Sequence, residues 1–336
     1  MKRFATILGH ERPLTALNKL LECGRLPHAM LFHGPQGVGK ASIARLLGRA
    51  LVCRELGCAA CDDCRLFDAG NHPDFVHVKL ELRKDSKTEY RKQIVVDQIR
   101  ILSSLVGLAP RHGARRVILL DPADKMNLEA QNALLKTLEE PPPHTVLILI
   151  AARPQVLVAT VRSRCFALGF SPLRAEDLAH LLESRGFDAQ EALARAALAE
   201  GRPGTAIELD LEALRERREH LLDGLEGLAS RRAIGALQTL GAAFAGKDEA
   251  ALQANLELLA TLLRDAARSA SGAGAKVLVH ADLADRLSRL GRGLGAERAA
   301  ALVASIDRLR DQLRFNLNRT LVAESVLAAV AGGPLP

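Results

Sequence analysis

The sequence predicts an α/β chain, with a parallel sheet of the nucleotide-binding kind in its N-terminal half and helices alone after it. Three observations carry that expectation. The stretch Gly34-Pro35-Gln36-Gly37-Val38-Gly39-Lys40-Ala41 lies between a short apolar run, Ala29 to Phe32, and a helical pattern with Ile43, Leu46, Leu47 and Ala50 on one face. Two further apolar runs, Val117 to Leu120 and Thr145 to Ala152, alternate with helical periodicity, as parallel strands covered on both faces do. From about Ser171 onward the apolar spacing is purely helical.

A length of 336 residues suggests two or three domains. The hydrophobic share of 48% and charged share of 25% are those of a soluble globular protein. No apolar run approaches the roughly 18 residues of a membrane span, and Met1-Lys2-Arg3-Phe4 does not lead into a signal-peptide core, so a cytoplasmic location is expected. A net charge of +7 favours a polyanionic partner. With no Trp and one Tyr, stacking on bases is a poor way for this chain to grip a strand, which leaves the phosphates as the target.

Residues 1–27 read as a helical approach, with Leu14, Leu17, Leu20 and Leu21 at helix spacing. In the glycine-rich stretch, Gly34, Gly37 and Gly39 let backbone N–H groups curl around a phosphate, and Lys40 adds a full charge at the start of the next helix. Ala41 stands where a Ser or Thr hydroxyl would hold Mg²⁺. Ser42 does not replace it, because one step along a helix turns a side chain by about 100°. The helix is expected to run to about Cys53. There Cys53, Cys58, Cys61 and Cys64 fall within twelve residues, a pattern that suits a closed tetrahedral zinc site; a redox CxxC pair or an oxygen-labile cluster are the alternatives. Cys23 and Cys165 stand apart and read as buried small side chains.

Residues 79–93 mix Lys, Arg, Asp and Glu and read as a solvated loop, with a phosphate-contacting arm as the alternative. A helix is expected from Ile94 to Leu108 with apolar Ile94, Ile101, Leu102 and Leu105. The strand Val117 to Leu120 ends in Asp121. In ATPases of this build such an Asp supports Mg²⁺ through its waters and a Glu follows to polarise the attacking water. Here Pro122 follows, with neither carboxylate nor N–H. Loss of a general base costs roughly 10²–10⁴ in rate. A helix from Asn127 to Glu140 carries Ala130, Ala133, Leu134 and Leu138, and Pro141-Pro142-Pro143 stops it. Gly34 and Asp121 both fall at the carboxyl ends of strands, where open α/β sheets bind ligands. Residues 172–208 read as a small helical unit with Pro203 near a helix start. Further helices follow from Leu211 to Ala331, with breaks near Ser230-Arg231, Gly246-Lys247, Ser271 to Gly274 and Gly291 to Gly295.

Several phrases together carry a resemblance. Leu26-Pro27-His28-Ala29-Met30-Leu31-Phe32 before the glycine-rich stretch, the four cysteines after the first core helix, Asn71-His72-Pro73-Asp74, Glu129 to Pro142 and Arg162-Ser163-Arg164-Cys165 resemble bacterial DNA polymerase III clamp-loader AAA+ subunits. The likeness is dense over residues 1–170 and extends beyond them only in helical character and length. Within the family the chain looks most like the delta-prime type, because the gamma and tau ATPases keep the hydroxyl and acid missing here.

The resemblance implies a P-loop AAA+ module over 1–170 with a zinc-binding insertion at 53–64, a small helical lid over 171–209 and an all-α collar over 210–336. It matches Cys53, Cys58, Cys61 and Cys64 to the family's zinc ligands, Gly34, Gly37, Gly39 and Lys40 to the phosphate loop, and Asp121 to the strand-end acid. Ala152 takes the place of a polar residue that senses the terminal phosphate. The lid arginine of active subunits falls near Gly204, with Arg202 a loose substitute. Arg164 matches the arginine finger that acts on a neighbouring subunit's ATP. The implied function is a non-hydrolysing stator in a hetero-pentameric ring with delta and gamma/tau, which helps place a sliding clamp on primed DNA and meets that DNA through phosphates. ATP or ADP can still be held by the glycines and Lys40. A working gamma/tau-like ATPase and an AAA+ adaptor in DNA repair or helicase loading are the other readings.

Overall fold

The computed structural model describes residues 4, 7–81, 93–229, 240, 241, 244, 249–274, 277–312 and 319–331. The chain divides into two compact units, Met1–Ile207 and Glu208–Pro336. Residues 82–92 of the charged stretch, and the breaks expected near Ser230-Arg231 and Gly246-Lys247, lie outside the described residues.

The first unit is built on β1 (Ala29–His33), β2 (Phe75–Val78), β3 (Arg116–Leu120), β4 (Thr145–Ala151) and β5 (Phe166–Gly169). They form one sheet in the order β2-β3-β4-β1-β5, every pair parallel. Side chains alternate across a strand, so the central strands β1, β3 and β4 each feed two cores. On one face Met30, Phe32, Val117, Leu119, Ile148 and Ile150 pack with Leu17 and Leu21 of α1 (Glu11–Glu22) and with Ile43, Leu47 and Leu51 of α2 (Lys40–Val52). On the other, Leu31, Ile118, Leu120, Leu147 and Leu149 meet α4 (Val96–Val106) and α5 (Leu128–Glu139). A short helix, α3 (Asp62–Asp68), contains the last of the four clustered cysteines, and α6 (Ala159–Arg162) precedes β5. After β5, α7 (Ala175–Glu183), α8 (Ala189–Leu198) and α9 (Pro203–Glu208) gather a separate core that includes Leu178, Leu182, Ala192, Ala196 and Ala206.

The helix expected over Ile94 to Leu108 is shorter, and of the apolar residues singled out in the sequence it buries only Leu102. It starts at Val96, with the Val95 N–H donating to the Gln98 side chain at 3.2 Å. Ile94 instead forms an isolated parallel bridge with Met126. The buried set is Ile99, Leu102 and Val106, while Ile101 is 63% exposed. The segment carries two apolar stripes, and the sheet accepts only one. Cys23 also departs from expectation, since it caps the end of α1 and is exposed.

The second unit contains α10 (Leu211–Ala229), α11 (Glu249–Ala270), α12 (Ala284–Leu294), α13 (Ala296–Gln312) and α14 (Arg319–Val330). Leu221, Leu225, Leu256, Leu259, Leu263, Leu287, Leu302, Ile306 and Val326 are among the residues of its core. The break expected over Gly291 to Gly295 falls at the end of that range: α12 runs through Gly291 to Leu294, and Gly295 at φ +80° ends it. A Cβ on Gly291 would lie 2.2 Å from the Ala266 carbonyl oxygen, so glycine is there for helix contact and not for a turn. Among the described residues no helix is long and apolar enough to cross a membrane.

Candidate functional site

The glycine-rich stretch leaves the carboxyl end of β1 and enters α2 at Lys40. Gly34, Gly37 and Gly39 all have positive φ, at 142°, 83° and 103°, which the loop's curl requires. Two of them are also closely covered. A Cβ on Gly34 would fall 2.0 Å from the Phe170 carbonyl oxygen, and one on Gly37 would fall 2.6 Å from Thr205 Oγ1. The Gly204 N–H, at the start of α9, donates to the Gly37 carbonyl at 2.8 Å. The start of α9 and Phe170 after β5 therefore rest directly on the glycine-rich loop.

Lys40 is 6% exposed. Its ammonium donates to the Gly34 and Pro35 carbonyls of its own loop, each at 2.6 Å. Burial lowers its pKa, opposed by the charges of Asp121 and Asp124. Asp121 follows β3 and its carboxyl is raised by burial, with Lys40 pulling the other way. Asp124 is buried and accepts from the Arg153 N–H at 3.2 Å. Ala41 packs its methyl against the core, and Ser42 is exposed. His10 had given no signal in the sequence: its Nε2 lies 2.8 Å from the Val38 carbonyl and its ring meets Phe170 edge-on at 5.3 Å.

The four cysteines converge at the far end of α2. Cys53 caps that helix, Cys61 precedes α3 and Cys64 lies within it. Residues Leu56, Gly57 and Ala59 take positive φ to fold the chain back between them. The four sulfurs lie within 4.8 Å of one another, with Cys53 Sγ 3.7 Å from Cys58 Sγ and 3.6 Å from Cys61 Sγ. Sulfurs about 2.3 Å from a tetrahedral ion are separated by roughly 3.8 Å, so the set could hold a metal. Burial pushes the Cys64 thiol up to about 12. It pushes on Cys53 too, but N–H groups of Cys58, Gly57 and Glu55 outweigh it and hold that thiol at about 7.

Asn71-His72-Pro73-Asp74 is a structural anchor. Asp74 is fully buried and accepts from the N–H groups of Arg111, His112 and Gly113 at 2.8–3.0 Å and from Arg116 Nη2 at 3.0 Å. His72 Nδ1 accepts from the Asp74 N–H at 3.0 Å. Arg116 also donates to the Leu105, Leu108 and Ala109 carbonyls, tying the end of α4 to β3.

Arg164 lies at the surface after α6. Its Nη2 is 2.7 Å from Glu139 Oε1 and its Nη1 donates to the Thr160 carbonyl at 3.0 Å. The segment is held from α5 by Gln131, whose Oε1 accepts from the Val158 N–H at 2.8 Å.

A family model described as DNA polymerase III, delta subunit, matches residues 9–174, and one described as its C-terminal part matches residues 212–331. The DNA polymerase III delta-prime subunit of Escherichia coli is 30% identical over 316 residues, 92% of this chain and 90% of that one. The chain belongs to the DNA polymerase III delta-prime family. The delta-prime subunit of Pseudomonas aeruginosa is 38% identical over 213 residues, 61% of this chain and 62% of that one. The tau subunit of Salmonella typhimurium is 40% identical over 185 residues, 54% of this chain but only 27% of that longer protein. Among solved structures, a gamma-subunit-related protein of Thermotoga maritima gives a TM-score of 0.39 at 17% identity, covering 94% of this chain and 98% of that one.

Proposed function

We propose that this delta-prime family member is a non-hydrolysing stator of a sliding-clamp loader, which completes a neighbouring subunit's ATP site with Arg164. The observation that carries the reading is the state of its own phosphate loop. Ala41, Pro122 and Ala152 stand where a metal hydroxyl, a general base and a phosphate sensor would act. Gly34, Gly37, Gly39, Lys40 and Asp121 retain the means to hold ATP or ADP, but hydrolysis is not this subunit's work. Arg164, at the surface, can meet a triphosphate on another chain. Charge arriving where a transferring phosphoryl group builds its own is worth about 10³–10⁵ in rate.

The partners in this reading are delta and gamma/tau subunits in a hetero-pentameric ring in the cytoplasm, with the sliding clamp engaged indirectly and primer–template DNA met at its phosphates. Residues 171–209 act as lid and 210–336 as the collar through which subunits join. Cys53, Cys58, Cys61 and Cys64 hold a structural Zn²⁺.

The purified chain should turn over no ATP above background. Steady-state turnover that Lys40→Ala abolishes would overturn the reading and favour a gamma/tau-like ATPase, the alternative that the 40% identity to a tau subunit supports.

A further inference from the structure

Arg164 is not idle in the free chain. Its guanidinium is engaged by Glu139, the last residue of α5, at 2.7 Å, and by the Thr160 carbonyl at 3.0 Å. The two charged side chains are 35% and 50% exposed, so water and salt reach the pair. A pair this open shifts an equilibrium by no more than about fivefold. It is strong enough to set where the guanidinium rests and weak enough for a polyphosphate to displace. α5 itself is fixed: Asn127 caps its start by accepting from the Ala130 N–H at 2.9 Å, and Gln131 joins it to Val158. Glu139 is thus a carboxylate at a set position beside the arginine, on a helix packed against the sheet.

We propose that Glu139 is a positioning residue for Arg164, a resting counter-ion that the neighbouring subunit's triphosphate must displace before the arginine can act. This rests on the finger reading of Arg164. A carboxylate beside an incoming triphosphate opposes it both by holding the arginine and by repelling the phosphate charge, and both effects weaken with salt. Glu139 therefore sets how much ATP the ring needs and leaves the chemical step alone.

The test uses a reconstituted loader carrying wild-type, Glu139→Gln, Glu139→Asp or Arg164→Ala chains, with ATP hydrolysis titrated at low and high salt. Glu139→Gln should lower the ATP concentration for half-maximal rate by about two- to fivefold at low salt, with kcat within twofold of wild type and the difference shrinking at high salt. Glu139→Asp keeps the charge and should restore the wild-type value. Arg164→Ala should remove most of the rate, and adding Glu139→Gln to it should change nothing more. If Arg164→Ala collapses the rate while Glu139→Gln matches wild type at low salt, the counter-ion role is wrong. If Arg164→Ala itself leaves the rate unchanged, the finger reading fails instead. A purely structural Glu139 would lower melting temperature and kcat together without moving the half-maximal ATP concentration.

Discussion

Asp74 shows what a single buried carboxylate does here. Burial alone would raise its pKa, but three backbone N–H groups and Arg116 overcome that and hold it at about 2. Because the folded value lies below the unfolded one, the stability it lends is whole above about pH 4 and fades as pH falls toward 2, roughly 2–3 kcal/mol in all. Asp74→Ala would leave the Arg116 guanidinium, 3% exposed, without its counter-charge. Urea denaturation should register a loss of about 3–5 kcal/mol; a loss under 1 kcal/mol would mean the loop over residues 111–113 is held by other means. The sequence spelled this anchor only as part of a resemblance, since nothing in Asn71 to Asp74 says which N–H groups will arrive nearly forty residues later. The missing groups at Ala41 and Pro122 were legible, because an absent hydroxyl or carboxylate is a matter of residue type. Where the Lys40 ammonium points was not, because a flexible side chain chooses its partner only in the folded loop.

At the scale of elements, the cysteine hairpin between α2 and α3 was plain in the sequence. Its spacing within twelve residues constrains the sulfurs whatever surrounds them, and they lie within 4.8 Å. Native protein should contain about one zinc per chain by elemental analysis, and Cys64→Ser should abolish it and lower the melting temperature. Protein with full helical content and no metal would remove zinc from the account. The strands were legible too, because unbroken apolar runs such as Val117 to Leu120 fit a sheet covered on both sides. α4 was not. Ile101 and Leu102 are neighbours in sequence but about 100° apart around a helix, and only the sheet decides which is buried. Which glycine of the expected break ends the helix was hidden for a related reason: Gly291 makes a close helix contact inside α12, and Gly295 is the one that ends it.

On the scale of the whole molecule, the two units differ in what the sequence disclosed. The first carries phrases that imply chemistry, whereas the second showed only helical periodicity and so hid a buried polar cluster. There the His280 ring, 2% exposed, lies between Thr261 at 3.1 Å and Arg218 at 3.5 Å, and the His280 backbone N–H donates to the fully buried Asp265 at 2.8 Å. Arg218 is paired in turn with Asp282 at 2.6 Å. Burial, helped by Arg218, holds the imidazole pKa at about 4. The unfolded chain takes up that proton near pH 6.5, so stability is intact above that value and falls by about 3 kcal/mol as pH drops to 4. Burial also raises the Asp265 carboxyl, which offsets part of the loss. Denaturation between pH 7 and 5 should show this slope, and His280→Gln should flatten it; an equal slope in both proteins would assign the acid sensitivity elsewhere. In the proposed role the chain lends a charge outward and burns no ATP itself. The most direct measurement is single-turnover ATP hydrolysis by a loader assembled with delta and gamma/tau subunits, containing either wild-type or Arg164→Ala chains. A drop of at least a hundredfold at the adjoining site, with ring assembly unchanged, is the result expected. Equal rates from the two assemblies would contradict it.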